Sequence, residues 1–427
     1  MKKLAFIILL VASFAIQAQG KKIDKMIDEI ESKVIDWRRD FHENPELSNR
    51  EFKTAEKIAS HLKSLGLEVQ TGIAHTGVVG ILKGEKPGKV VALRADMDAL
   101  PVTERVDLPY KSQATSTYNG KETGVMHACG HDTHVAILMG VAEVLSKNKD
   151  QLKGSVKFIF QPAEEGPPAG EEGGAKLMIK EGVLKNPKVD VIFGLHISSG
   201  THVGNINYKP GGALAAAQRF VIKVKGKQAH GSRPWQSVDP IVASAQIITA
   251  LQTIVSRETE LTKEAAVISV GVINAGIRNN IIPESAEMIG TIRTLDYGMQ
   301  KKLNDRMKEM VPAIAKAYGA EATIEIGTGA AITYNDEALV AQMLPTLQRV
   351  AGKEHVHLVG ARTGAEDFSF FQEKVPGFYF SLGGTPLTTA EKDAPSHHTP
   401  DFFIDDSGLK LGVQTFVNLT IDYLNHK

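Results

Sequence analysis

Three histidines, an aspartate and the only cysteine of the 427-residue chain fall within nine positions, Met126-His127-Ala128-Cys129-Gly130-His131-Asp132-Thr133-His134. Thiolate and imidazole are the ligands that zinc-like transition ions prefer, so the cluster points to a divalent metal site. A single cysteine also rules out any intramolecular disulfide. Cys129 and His131 stand two apart in a glycine-containing turn that can aim both side chains at one point. The competing reading is a buried thiol beside a helix-capping histidine. His127 and His134 taken separately read better as structural or hydrogen-bonding groups, with His134 one helical turn beyond His131.

Further candidates sit where apolar runs end. Gln161-Pro162-Ala163-Glu164-Glu165 follows Val156 to Phe160. Adjacent carboxylates repel, which raises one pKa unless a cation intervenes. With a metal present, one of the two can bind it while the other moves protons. Glu171-Glu172 is a rival pair that reads as a solvated loop. His196 ends the run Val189 to Leu195. Ser396-His397-His398-Thr399-Pro400 offers one more ligand, because neighbouring side chains of extended chain point apart. Asp96-Met97-Asp98 follows another run, Lys89 to Leu93, and Asp98 can orient a ligand or a catalytic water. Later in the chain, His230, Asn280 and Arg293 are groups able to bind an oxyanion and a substrate carboxylate.

Strands and helices must hold these residues. Ile23 to Glu43 and Arg50 to Leu65 are expected helices, and Thr133 to Lys147 another, with Asp132 as its cap. Together with the apolar runs they predict an α/β sandwich with a mostly parallel sheet. Between about Pro210 and Gly327 the order is strand Arg219–Lys225, helix Asp239–Arg257, strands Ala265–Ile273 and Ala286–Thr294, helix Tyr297–Tyr318 and strand Glu321–Ile326. That β-α-β-β-α-β order is ferredoxin-like. The rest of the chain, with a helix Ala338–Ala351, a strand Phe378–Leu382 and a helix Leu409–Leu424, is expected to complete the first sheet. The expected domains are therefore 19–209 and 329–427 as one catalytic α/β domain, interrupted by a dimerisation or lid domain at 210–328.

The ordered motifs resemble the M20 metallopeptidase family, and within it the amidohydrolase branch that cleaves N-acyl amino acids, hippurate and auxin conjugates. They are Phe41-His42-Glu43-Asn44-Pro45-Glu46-Leu47, Asp96 to Pro101, His127 to Asp132, Gln161 to Glu165, Gly194-Leu195-His196, Asn280 to Pro283, Glu366-Asp367-Phe368-Ser369 and His398-Thr399-Pro400. The resemblance implies metal ligands Cys129, His131, Glu165, His196 and His398, with Glu164 as general base. It implies two divalent ions (zinc, manganese, cobalt or nickel) and a homodimer formed through the lid, with His230 reaching the partner's active site. Asn280 and Arg293 match positions linked to substrate binding. Two departures stand out: Asp96-Met97-Asp98 replaces the His-x-Asp that opens many M20 sites, and the segment after Glu165 is long for this branch. A dipeptidase or carboxypeptidase on the same scaffold, and a metal-binding protein without catalysis, are the alternatives.

Charge and the N-terminus bound the setting. Lys plus Arg and Asp plus Glu are 49 each, so no electrostatic case exists for nucleic acid or anionic membrane as a partner. Lys2 and Lys3 precede an uncharged, mostly apolar run from Leu4 to Ile16, then Ala18. That is the layout of a signal peptide over 1–18, with cleavage after Ala18, or less simply of an uncleaved anchor. A secreted, periplasmic enzyme acting on a small-molecule amide, without membrane insertion after cleavage, is the expectation.

Overall fold

The computed structural model describes residues 2–426, with side chains from Lys21 onward, so the side chains of the expected leader and its cleavage point lie outside the described residues. Two compact units emerge: 1–210 with 335–359 and 371–427, and 211–334 with 360–370.

The first unit is built on an eight-stranded sheet in the order Glu68–Ile73, Gly77–Lys83, Lys153–Gln161, Lys86–Asp96, Val191–His202, Gly377–Thr385, Ile206–Tyr208, Val356–Leu358. Its centre is parallel: Lys153–Gln161, Lys86–Asp96, Val191–His202 and Gly377–Thr385 run in one direction. On one side Gly77–Lys83 runs antiparallel to this centre, and Glu68–Ile73 runs antiparallel to Gly77–Lys83. The central strands are buried almost throughout, as strands covered on their faces must be. The late strand Gly377–Thr385 joins this sheet beside Val191–His202, so the sheet closes only after the second unit has been threaded.

Three helices matter for the site. Helix α1 (Lys2–Glu43) buries Ile23, Ile27, Ile30, Val34 and Phe41, an apolar stripe at alternating spacings of three, four and seven residues. Helix α2 is Phe52–Ser64. Helix α3 (His131–Ser146) is buried from His131 to Leu145, mostly apolar beyond its first turn, and packs on the central strands. Each large apolar side chain so enclosed contributes roughly 1.5–3 kcal/mol, which fixes α3 in place. Contrary to expectation, Asp132 does not cap this helix. Gly130, in the left-handed conformation, precedes it. Asp132 is inside the first turn, where it faces α1: Arg38 Nε lies 3.0 Å and His42 Nδ1 2.8 Å from Asp132 Oδ2. A second departure concerns His196, which lies inside the strand Val191–His202 and not at its end.

The second unit carries a four-stranded antiparallel sheet in the order Ala266–Ala275, Ser285–Thr294, Ala216–Lys225, Glu321–Ile326. Counted along the chain this is second, third, first, fourth, the ferredoxin-like order. Helices Pro240–Thr253 and Tyr297–Ala317 pack on it around Phe220, Ile222, Ile247, Leu251, Leu303 and Met307. Their starts follow local chemistry: Asp239 accepts from Ile241 N and Val242 N, and Asp296 from Met299 N. Gly319, at φ +73°, ends the second of them. Among the described residues no helix is long and apolar enough to cross a membrane.

Arg38 and Asp132 are both fully buried, and neutralising Asp132 leaves Arg38 with Asp406, 3.3 Å from its Nη1, as its one remaining carboxylate partner among the described residues. Asp132→Asn should lower stability by about 3 kcal/mol at neutral pH. Burial opposes ionisation of Asp132, but Arg38 and His42 outweigh it and hold the carboxyl well below its usual range. A depressed folded pKa contributes stability that is complete above the unfolded value and lost as pH falls. The gap in melting temperature between wild type and Asp132→Asn should therefore narrow below about pH 4; a gap that is constant with pH would refute this ion-pair account.

Candidate metal centre

The C-terminal ends of parallel strands are where open α/β sheets place their sites. Asp96, Gln161 and the segments that follow them lie at that edge, and the turn 127–130 reaches the same place. Leu100 and Met126 exchange both backbone hydrogen bonds, N to O 3.0 Å in each direction, which ties the start of the turn to the segment after Asp98. Gly130 is required by its position. Its φ is +89°, and a Cβ there would lie 2.3 Å from Ile197 Cγ2.

Ring tautomers sort the histidines. His131 Nδ1 donates to the Asp98 backbone oxygen at 2.9 Å. Its Nε2 is buried without a hydrogen-bond partner, 3.8 Å from Asp96 Oδ2 and 3.9 Å from Glu164 Oε2. His196 Nδ1 donates to Ile197 O at 2.6 Å, so its Nε2 carries the lone pair and sits 3.4 Å from Cys129 Sγ. His398 Nε2 is 3.3 Å from Cys129 Sγ and 3.0 Å from Glu165 Oε1. His134 is different. Its Nε2 accepts the Ile197 N–H at 2.8 Å, which leaves Nδ1 to donate to Asp96. Both nitrogens are therefore committed, and His134 serves to hold Asp96. His397 likewise accepts the Ser199 N–H at its Nε2, 3.2 Å away, although it shares a 4.8 Å donor group with Cys129 and His196.

Cys129, His131 and Glu165 form another group with donor atoms within 4.8 Å of one another. The five residues expected as ligands thus converge, linked through the sulfur. Ions of the zinc type bind N, O and S at roughly 2.0–2.3 Å, which makes neighbouring donors about 3.0–3.5 Å apart. The contacts at 3.0, 3.3 and 3.4 Å fall in that range.

The electrostatics also favour a cation. Burial first, then Glu165, Glu164 and Asp96, push the Cys129 thiol well above its usual range. Burial, then its histidine neighbours, holds His196 neutral. Burial disfavours charge on His131 too, but Asp96, Asp98 and Glu165 outweigh it and raise its pKa to about 10. A divalent ion would reverse the penalty on the thiol and answer the carboxylates. Chemistry, burial and the bare His131 Nε2 all fit such an ion.

Asp98 supports the residues around it, His131 among them. Its oxygens accept from Ser48 Oγ at 2.7 Å and from the backbone N–H groups of Glu164 and Glu165 at 3.1 Å each, and Oδ1 lies 3.2 Å from His131 Nδ1. Spacing alone gives no role to Ser48, which follows the motif ending at Leu47, or to Asp96, which opens the motif Asp96 to Pro101. Glu171-Glu172 lies in a loop, as expected, with the Glu172 side chain 70% exposed. Glu171 pairs with Arg50 at 2.6 Å and accepts from Asn49 Nδ2 at 3.0 Å, which tethers the long segment after Glu165. His127, also buried, has neither ring nitrogen hydrogen-bonded, and burial lowers its pKa to about 4.

His230, Asn280 and Arg293 belong to the second unit. The first two are brought together: Gly231 N donates to Asn280 O at 2.8 Å, beside the pairing of His230 with Ile281. His230 is exposed, and its Nδ1 accepts from Ser232 N at 3.0 Å, so its Nε2 carries the proton. Arg293 lies on the strand Ser285–Thr294, opposite Ala217 and Val267.

A hydrolase with metal ligands at the edge of an α/β sheet is the class that this fold and donor set define. The profile of peptidase family M20/M25/M40 matches residues 92–422. A thermostable carboxypeptidase 2 of Saccharolobus solfataricus is 42% identical over 95% of this chain and 99% of its own length. An N-acetylcysteine deacetylase of Bacillus subtilis is 37% identical over 91% of this chain and 96% of its own. A solved Bacillus subtilis structure, described as a dinuclear metal-binding peptidase from family M20, superposes with a TM-score of 0.78 at 34% identity, covering 93% of this chain and 99% of that one. The chain belongs to the M20 family of metal-dependent hydrolases that act on amide bonds.

Because Gly130 has no room for a methyl group, Gly130→Ala must displace Cys129 or His131. Metal content measured by plasma emission should fall to near zero, with the fold retained by circular dichroism. Full metal occupancy in this variant would show that the turn does not set the site.

Proposed function

We propose that the protein is a secreted, dimeric amidohydrolase that cleaves N-acyl amino acids, or similar small amide conjugates, to a carboxylic acid and an amino acid. In this reading Cys129, His131, Glu165, His196 and His398 hold two divalent ions of the zinc, manganese, cobalt or nickel type. Bound ions supply a lowered pKa for water and a polarised substrate carbonyl. The observation that carries the reading is the bare, buried His131 Nε2 with Glu164 Oε2 3.9 Å away. Glu164 takes the proton of the attacking water as the C–O bond forms, and delivers it to the amide nitrogen as the C–N bond breaks. Asp98 keeps both glutamate backbones and His131 in register for that transfer.

The partner subunit's His230 donates its Nε2–H to the oxyanion of the tetrahedral carbon, and Asn280 and Arg293 bind the substrate carboxylate. Two features support a dimer. The strand Ala266–Ala275 is an outer strand of its sheet, and its Val272 and Ile273 are 43% and 48% exposed. Export to the periplasm rests on the N-terminal pattern alone. The carboxypeptidase reading is favoured by the 42%-identical relative of that name, and the deacylase reading by the N-acetylcysteine deacetylase.

Glu164→Gln should lower kcat by roughly 10²–10⁴-fold while metal content is unchanged; near-normal turnover would refute the assignment. The metal-loaded enzyme, assayed on N-acetyl amino acids beside N-blocked dipeptides, should favour the former. Preference for the dipeptides would replace the proposed reaction with carboxypeptidase activity. Co-expressed His230→Ala and Glu164→Gln subunits should regain part of the activity that each lacks alone, and no recovery would count against a shared site.

A further inference from the structure

The turn that presents Glu164 and Glu165 is held by a residue that the proposed reaction does not use. Ala163 lies at φ +52°, a left-handed conformation that a residue with a Cβ adopts only when its surroundings compensate. The compensation is visible. Three successive backbone N–H groups, those of Ala163, Glu164 and Glu165, all end on buried carboxyl groups. Ala163 N donates to Glu51 Oε1 at 3.0 Å, and the next two donate to Asp98 at 3.1 Å each. The other oxygen of Glu51 accepts from Thr76 Oγ1 at 2.6 Å, which fixes the plane of the carboxyl.

Glu51 has given up its local task to do this. It stands at the N-cap of α2, where its side chain makes no capping hydrogen bond. Glu46 caps the helix in its place, accepting from Lys53 N at 3.2 Å and Thr54 N at 2.9 Å. Glu51 is fully buried, and burying a carboxyl is unfavourable unless its hydrogen bonds are needed.

We propose that Glu51 is a positioning residue for amide hydrolysis: by accepting the Ala163 N–H it holds the left-handed turn that aims Glu164 at the proton it moves. The inference rests on the reading of Glu164 as the base. Burial and the nearby Asp98 raise Glu51 to about 8, so it is largely protonated at neutral pH and acts through a hydrogen bond more than through charge. Glutamine should therefore replace it, whereas leucine, similar in size, should not.

The test compares Glu51→Gln, Glu51→Leu and the double variant E51L/A163G as metal-loaded enzymes. Glu51→Leu should lose roughly 10–100-fold in kcat with KM and metal content close to wild type, because a small displacement of a proton-transferring group has that scale of effect. Glu51→Gln should stay close to wild type. Glycine at 163, which enters the left-handed region without strain, should restore part of the loss in E51L/A163G. Wild-type kcat in Glu51→Leu with only a lower melting temperature would overturn the proposal, as would a Glu51→Gln enzyme as slow as Glu51→Leu. If Glu51→Leu does not fold, Thr76→Val removes the hydroxyl that fixes the carboxyl while keeping its shape. A fall in kcat at unchanged KM would then support the proposal, and unchanged kcat would overturn it. Glu164→Gln separates the two readings: if it is inactive while Glu51→Leu is not, only the present inference fails.

Discussion

Negative charge crowded around sulfur and imidazole donors is the constraint from which the rest of this structure follows. Asp96, Asp98, Glu164 and Glu165 gather at one end of the sheet with Cys129, His131, His196 and His398. Arg94 pairs with Asp96, but the thiol and His196 cannot carry charge where they are buried. Such an arrangement is unfavourable until a cation enters, because buried carboxylates need partners of opposite sign. The fold holds the donors together against that repulsion, with packing supplied by α3 and the four central strands.

How it does so is a division of labour between groups that face the centre and groups that orient them. His131 and His196 each give one nitrogen to a backbone carbonyl; the other is without a hydrogen-bond partner in His131 and faces the Cys129 sulfur in His196. Asp98 ties His131 to the Glu164-Glu165 backbone through one carboxylate. Behind α3, Arg38 and His42 of α1 grip Asp132, the residue next to His131. Glu51 extends the pattern to the turn at Ala163. Each support is a buried hydrogen bond or ion pair that is costly to break, so the geometry is fixed before any substrate arrives.

The chain's chemistry was legible in its order of residues wherever type and spacing sufficed. A lone cysteine two positions from a histidine, paired glutamates after an apolar run and a late histidine before Thr399-Pro400 marked the donor set. Periodicity marked the ferredoxin-like unit, because each of its strands and helices carries its own local pattern even though the first strand pairs with the third and fourth far along the chain. What could not be read was anything that depends on a partner distant in the chain. His134 is at helical spacing from His131 and offers the same imidazole, yet a peptide N–H from Ile197 occupies its Nε2. Asp132 reads as a cap from its neighbours, but Arg38, ninety-four positions earlier, claims it. Glu171 reads as a loop residue, and only the fold shows that Arg50 and Asn49 stand beside it.

By itself, then, the sequence determined the inventory of donors, the apolar runs that become central strands and the glycine at 130 that a tight turn demands. Tertiary structure decided which nitrogen of each histidine stays bare, which carboxylates hold and which are held, and that Glu51 turns away from its own helix. The physical reason is that a side chain's type fixes what it can donate or accept, whereas its use depends on which distant peptide group or charge folding brings within hydrogen-bonding distance.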